Sequence, residues 1–293
     1  MRHWHRIGLA SLVAAIGISS AAAASPRAPR HRHRVRVARA TVAPPPPVSY
    51  FLGGNPHVPL AVARGSLLHS AVGDAERGHT CGPRSRWRVP ASRWNAIDAW
   101  GQLVGTYAVD DFDDYDVTAC AEISFTAAPR NDAAMVFVSA DSAWRPSASV
   151  RFAPSAAEQR AFDTALSDVV RGHAQANMMH ECTEITDEMR FFEIKTPGST
   201  QRFAVGGRNG GYVVASQAAD GSWSRDLVKS EPVHAPDFTM CYRPVAVFDL
   251  NGDGIPEIVM RESEPASWGD FVLMRSATGQ WQIVATSPGG STA

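Results

Sequence analysis

Between Phe248 and Val259 the sequence runs Phe-Asp-Leu-Asn-Gly-Asp-Gly-Ile-Pro-Glu-Ile-Val, with oxygen-bearing side chains at the alternate positions Asp249, Asn251 and Asp253. In a tightly turned segment such side chains can converge on one point, and Gly254 permits the sharp turn. The backbone carbonyl of Ile255 and the carboxylate of Glu257 would complete much of an all-oxygen shell. That shell suits calcium. Magnesium prefers to keep its waters, and softer metals seek nitrogen or sulfur. The expected cofactor is Ca2+, with Asp249, Asn251, Asp253, Ile255 and Glu257 as its ligands.

A second acidic run contains Asp110, Asp111, Asp113, Asp114 and Asp116, interleaved with Phe112 and Tyr115. So many carboxylates repel one another unless a cation or arginines neutralise them. The run reads as an exposed acidic turn, or more sharply as a second calcium site. Catalytic signatures are sparse: the chain has no Gly-x-Ser-x-Gly elbow, His-Glu-x-x-His helix, phosphate loop or dinucleotide fingerprint. His173, His180, Glu181 and Cys182 fit no metal spacing, and Cys182 is better explained as half of a disulfide, as is Cys81 beside His79. The alternative to a binding protein is an exported hydrolase. Its paired acids would come from Asp110 to Asp116, Glu122, Glu181 and Glu184, since two carboxylates on a β scaffold suit glycoside cleavage.

The elements that must position these groups read mainly as strands: Val48–Leu52, Gly105–Val109, Ala121–Phe125, Met135–Val138, Arg190–Ile194, Arg202–Val205, Tyr212–Ser216, Val245–Phe248, Glu257–Arg261, Phe271–Met274 and Trp281–Ala285. Asn209–Gly210 signals a two-residue hairpin, and Asp220–Gly221 and Thr278–Gly279 mark tight turns. One helix is predicted over residues 155–172. Ser155 and Glu158 form a capping box after Pro154, and Phe162, Leu166, Val169 and Val170 share a face. The stretch from Tyr212 through Trp223 to Val228 is echoed from Phe271 through Trp281 to Val284, as when similar β units stack side by side.

An EF-hand would require helices around the loop and an acid at its twelfth position, which here is Met260. Strands on both sides make the loop resemble the calcium site of FG-GAP/VCBS repeats, the β-propeller blades also found in integrin α-chains. The resemblance implies Asp249, Asn251, Asp253 and Glu257 as side-chain ligands and Ile255 as the carbonyl donor. It also implies a four-stranded blade completed by Phe271–Met274 and Trp281–Ala285. In that family the loop chiefly rigidifies its blade, and the repeats serve adhesion or carbohydrate and protein binding. The resemblance covers about residues 244–287, with 200–230 as a blade lacking its calcium loop; nothing before Arg190 carries it. The fold class expected is mainly β, with antiparallel sheets, propeller-blade-like units in residues 190–293, a β-rich region over 48–189 and one amphipathic helix.

Residues 1–24 have the parts of a secretory signal peptide: Arg2, His3, His5 and Arg6, the apolar run Ile7 to Ile18, then Ala21 to Ala24 before the cleavage point. The apolar run is shorter than the roughly 20 residues that span a bilayer, so no transmembrane segment is expected and the mature chain is read as secreted or periplasmic. Residues 25–47 are rich in Arg, His and Pro and read as a disordered tether. The tether suits an anionic envelope polymer. All 29 acidic residues follow it, so the body is acidic and a uniformly basic nucleic-acid binder is excluded. Only Lys195 and Lys229 are lysines, which fits codon bias in a GC-rich, bacterial gene. Cys81, Cys120, Cys182 and Cys241 suggest two disulfides in an oxidising compartment, worth about 2–4 kcal/mol each. Three pairings are open; compactness favours Cys81 with Cys120 and Cys182 with Cys241. The function expected is that of an exported non-enzymatic β-protein, stabilised by calcium and disulfides, that binds a surface polymer or protein, with a glycan or a protein as its ligand.

Overall fold

Short runs of β-branched and aromatic residues, punctuated by Gly, Asp and Pro, build three antiparallel sheets and, among the described residues, a single helix. The computed structural model describes residues 48–53, 58–70, 93–113, 122–125, 136–140, 144, 151–170, 189–196, 198–208, 210–230, 240–264, 267–287 and 290–291. The first sheet contains β1 (Val48–Gly53), β2 (Pro59–Arg64), β3 (Leu67–Ser70), β4 (Arg93–Ile97), β5 (Leu103–Asp113), β6 (Glu122–Phe125) and β7 (Val136–Ser139), in the order β3-β2-β1-β7-β4-β5-β6. After α1 (Ala156–Val170), the chain forms two meanders. The second sheet is β8 (Met189–Thr196), β9 (Ser199–Arg208), β10 (Gly211–Gln217) and β11 (Trp223–Ser230). The third is β12 (Cys241–Phe248), β13 (Glu257–Glu264), β14 (Ser267–Arg275) and β15 (Trp281–Thr286), with β16 (Gly290–Ser291) added beside β14.

The third sheet has apolar partners on both faces. On one side Val245, Phe248, Val259, Val272 and Ala285 pack with Phe51, Leu60, Ile97 and Val138 of the first sheet. On the other, Val247, Ile258, Met260, Leu273 and Trp281 pack with Phe192, Phe203, Val205 and Val214 of the second. This is why β12 to β14 carry near-continuous apolar runs where a half-solvated strand would alternate. Sheets two and three come so close at one point that a Cβ on Gly207 would lie 2.2 Å from the Tyr242 carbonyl oxygen. The outward edge of β12 is covered as well. Its Val247 N–H donates to the Ala99 carbonyl at 2.9 Å, and Arg190 Nε donates to the Pro244 carbonyl at 3.2 Å.

The second sheet's far face is covered by α1, where Phe162 and Leu166 meet Phe191, Val213 and Ala215. The helix starts with the capping box read from the sequence. Ser155 N–H donates to Glu158 Oε2 at 2.7 Å, and Glu158 N–H donates to Ser155 Oγ at 3.2 Å. Gln217 Nε2 donates to the same Glu158 carboxylate at 2.9 Å, and Arg202 lies 3.4 Å away. These bonds, the Ser155 N–H foremost, hold the Glu158 carboxyl down at about 2.

β9 and β10 pair as a hairpin, with Gly210 at φ 76° and Gly211 opposite Arg208, while Asn209 of the expected turn lies outside the described residues. The two echoed segments become equivalent hairpins. In β10–β11 Gln217 faces Trp223, and in β14–β15 Arg275 faces Trp281. Their turns share one bonding pattern: Ala218 N–H to Ser222 O with Gly221 N–H to Ala218 O, and Ser276 N–H to Gln280 O with Gly279 N–H to Ser276 O. The turn between β4 and β5 repeats it through Asp98, Gly101 and Gln102. That third turn, Asp-Ala-Trp-Gly-Gln, shares Ala and Gly with both others and Gln with the second, but Leu103 follows it where Trp223 and Trp281 follow them, so the tryptophan-led echo is lost.

Two outcomes test this packing. Gly207→Ala should destabilise the fold by about 1–3 kcal/mol in urea unfolding, since the methyl has no room between the sheets; an unchanged midpoint would contradict the close approach. Glu158 has a depressed pKa, so its contribution is present above the ordinary carboxylate range and is lost as pH falls towards 2. Glu158→Gln keeps the shape of the cap and should therefore flatten the acid limb of a stability–pH curve; an unaltered limb would contradict the assignment.

Candidate metal centre

Residues 249–256 leave the sheet between Phe248 and Glu257, which are paired across β12 and β13. Gly252 and Gly254 take φ of 77° and 86°, and a Cβ on either would meet nothing within 4 Å. Backbone conformation, not space, calls for glycine there. The polar side chains fold the loop on itself. Asp249 accepts from Gly252 N–H at 2.6 Å through Oδ1 and from Gly254 N–H at 2.8 Å through Oδ2. Asn251 Oδ1 accepts from Asp253 N–H at 2.9 Å, and Asp253 Oδ1 accepts from Ile255 N–H at 2.8 Å. Asn251 Nδ2 donates to Asp253 Oδ2 at 3.2 Å, with Met274 Sδ at 3.9 Å. The alternate spacing thus yields successive side-chain-to-backbone turns.

Glu257 is the anomaly in this network. Its side chain is fully buried, and while Oε2 accepts from Leu250 N–H at 2.7 Å, Oε1 has no hydrogen-bond partner. Burial drives its pKa well above the ordinary carboxylate range; the Leu250 N–H opposes the rise, and Asp249 and Asp253 add to it. Asp249 is also raised, by burial first, with the Gly254 and Gly252 N–H groups pulling against it and Asp253 pushing further. The loop therefore gathers more negative charge than its own donors can settle, around a carboxylate that has no water to solvate it. Among the described residues, no group of three or more His, Cys, Asp and Glu side chains is disposed to hold a metal ion by itself. An ion in this loop would draw on Asn251 and the Ile255 carbonyl as well.

The loop is also built into the core. Leu250 is fully buried among residues of the first and third sheets. Trp144 donates its indole N–H to the Asp249 carbonyl at 2.9 Å, and its ring meets Phe248 at 5.9 Å and Phe51 at 6.4 Å. Sequence reasoning missed Trp144 as part of the site. A tryptophan more than a hundred positions away carries no local signal.

The other candidate residues are less informative. Asp110, Asp111 and Asp113 continue β5, whose Asp111 faces Ser124 and whose Asp113 faces Glu122, so the first half of the acidic run is strand and not turn. Asp110 is exposed. Asp114, Asp116, His79, His173, His180, Glu181, Glu184, Cys81, Cys120 and Cys182 lie outside the described residues, as do residues 1–47, on which the signal-peptide and tether expectations fall. Cys241 is buried at the start of β12, and no free cysteine occurs among the described residues. No described helix is long and apolar enough to cross a membrane. No protein-family model, curated protein or solved structure matches the chain.

Glu257 can be tested without any ion. Glu257→Gln keeps an acceptor for Leu250 N–H and removes the buried charge, whereas Glu257→Ala strands that N–H and should cost about 1–3 kcal/mol. In chelator at neutral pH the Gln variant is expected to unfold in urea no earlier than the parent chain, and the Ala variant clearly earlier. Equal destabilisation of both would contradict the picture of an unsettled buried charge.

Proposed function

We propose that this chain is an exported, non-enzymatic β-protein, stabilised by calcium in the 249–257 loop and by disulfides among its four cysteines, that binds a surface polymer or a protein. One observation carries the reading: the buried Glu257 carboxylate keeps an oxygen without a partner beside two further acids whose charges it feels. Because its pKa is raised, a proton settles that charge up to a pH well above the ordinary carboxylate range. A divalent cation would settle it at neutral pH, and the donors at hand, carboxylate, amide and carbonyl oxygens, are those calcium prefers. Asp249, Asn251, Asp253, Glu257 and the Ile255 carbonyl would hold the ion, which would supply positive charge and fix the end of β12 against that of β13. The strand–loop–strand setting supports the likeness to FG-GAP/VCBS repeats, as does the equivalence of the two C-terminal hairpins. The arginine-rich tether would attach the acidic body to an anionic envelope polymer, with an affinity that weakens as salt rises.

The ion should reveal itself in a thermal melt of the mature chain. Binding only to the folded state at about 100 times the Kd adds roughly 2.7 kcal/mol, or on the order of 5–10 °C in Tm for a body of this size. That rise is expected between chelator and calcium, and it should vanish in Asp249→Asn with Asp253→Asn. An identical Tm in chelator and in millimolar calcium would contradict the reading.

A further inference from the structure

We propose that Trp144 is a positioning residue that couples ion binding in the 249–257 loop to the seating of the first sheet on the third, an inference that rests on the calcium reading above. Three contacts make the loop part of that interface. The Trp144 N–H bonds to the Asp249 carbonyl, the backbone of the first residue of the ion loop. The same indole stands edge-on to Phe51 of β1 and to Phe248 at the end of β12. Leu250, whose N–H is held by Glu257, is buried in the cluster that unites the two sheets. A cation drawing Asp249 and Glu257 together would therefore fix the Asp249 carbonyl and the Leu250 side chain, which are the loop's attachments to Trp144 and to β1 and β7. Through those groups the ion acts on a sheet that contributes none of its ligands.

The coupling has a definite energetic form. If the ion binds tightly only when Asp249 is held by Trp144, then calcium must favour the seated first sheet, and loss of the indole donor must weaken calcium by the same factor. Of the other ties between these sheets, Ser70 Oγ to the Thr286 carbonyl at 3.0 Å lies away from the loop residues, and Val247 N–H to Ala99 O, two residues before Asp249, involves no ligand residue. The loop is thus distinct from the rest of the interface as a controllable contact.

Hydrogen–deuterium exchange of the full mature chain, in calcium and in chelator, separates the possibilities. The expected result is slower exchange with calcium in β12 and β13 and also, by about fivefold or more, in β1 and β7. In Trp144→Phe, which keeps a ring and loses the donor, the protection of β1 and β7 should fall away, that of β13 should persist, and calcium should bind about fivefold or more weakly. Protection confined to the third sheet would overturn the coupling and leave the ion site standing. No calcium effect on any strand would overturn both. A Phe variant with the parent's full response in β1 and β7 would overturn the role of the Trp144 N–H, and should that variant fail to fold, the parent's exchange pattern still decides the coupling.

Discussion

A carboxylate sealed from water has to be met by a proton, by donors or by a cation, and Glu257 is only half met. It opens β13 at a place where both faces of the sheet are already occupied, so solvent cannot reach it. The Leu250 N–H satisfies one oxygen, and the nearby polar side chains are spent on turning the loop. Asp249 and Asp253 then add negative charge to a site that already disfavours it. An apolar residue at this position would relieve the strain more simply; an acid here makes physical sense when something positive completes it.

The architecture explains why this constraint falls on the third sheet. Its meander resembles that of the second, down to the bonding of the closing turn, but the first connection differs. In the second sheet β8 passes to β9 through a tight turn at Gly198, whereas in the third β12 passes to β13 through the acidic loop. The third sheet is also the one with another sheet on each face. A rigid loop at its end can reach the interface with the first sheet, through Leu250 and Trp144, and the interface with the second lies just behind Ile258 and Met260.

Much of this was legible in the sequence wherever the signal is local. The capping box needs only Ser155 and Glu158, the hairpin only Asn209 and Gly210, and the loop only its alternating oxygens. Strands with β-branched or aromatic cores, such as Val136–Ser139 and Tyr212–Ser216, declare themselves. β2 opens with Pro59 and is diluted with alanine, β3 is four residues long, and β4 is Arg-Trp-Asn-Ala-Ile, so their strand character comes from pairing with β1, β2, β5 and β7 and not from propensity. The stacking order of the sheets was hidden for the same reason. Long apolar runs say that both faces are covered but not by what. Trp144 joins the loop through tertiary contact alone, and the missing partner of Glu257 Oε1 is a property of the packed chain that no spacing can reveal.

The most direct measurement is a crystal structure of the chain grown with calcium, using anomalous scattering to identify the ion. The account predicts one calcium bounded by Asp249, Asn251, Asp253, Glu257 and the Ile255 carbonyl, at oxygen distances of about 2.3–2.6 Å. Glu257 Oε1 would then turn from an orphan into a ligand. A loop that retains its own hydrogen bonds at saturating calcium, with Glu257 still unpartnered or met by a protein donor and no ion among these oxygens, would contradict it.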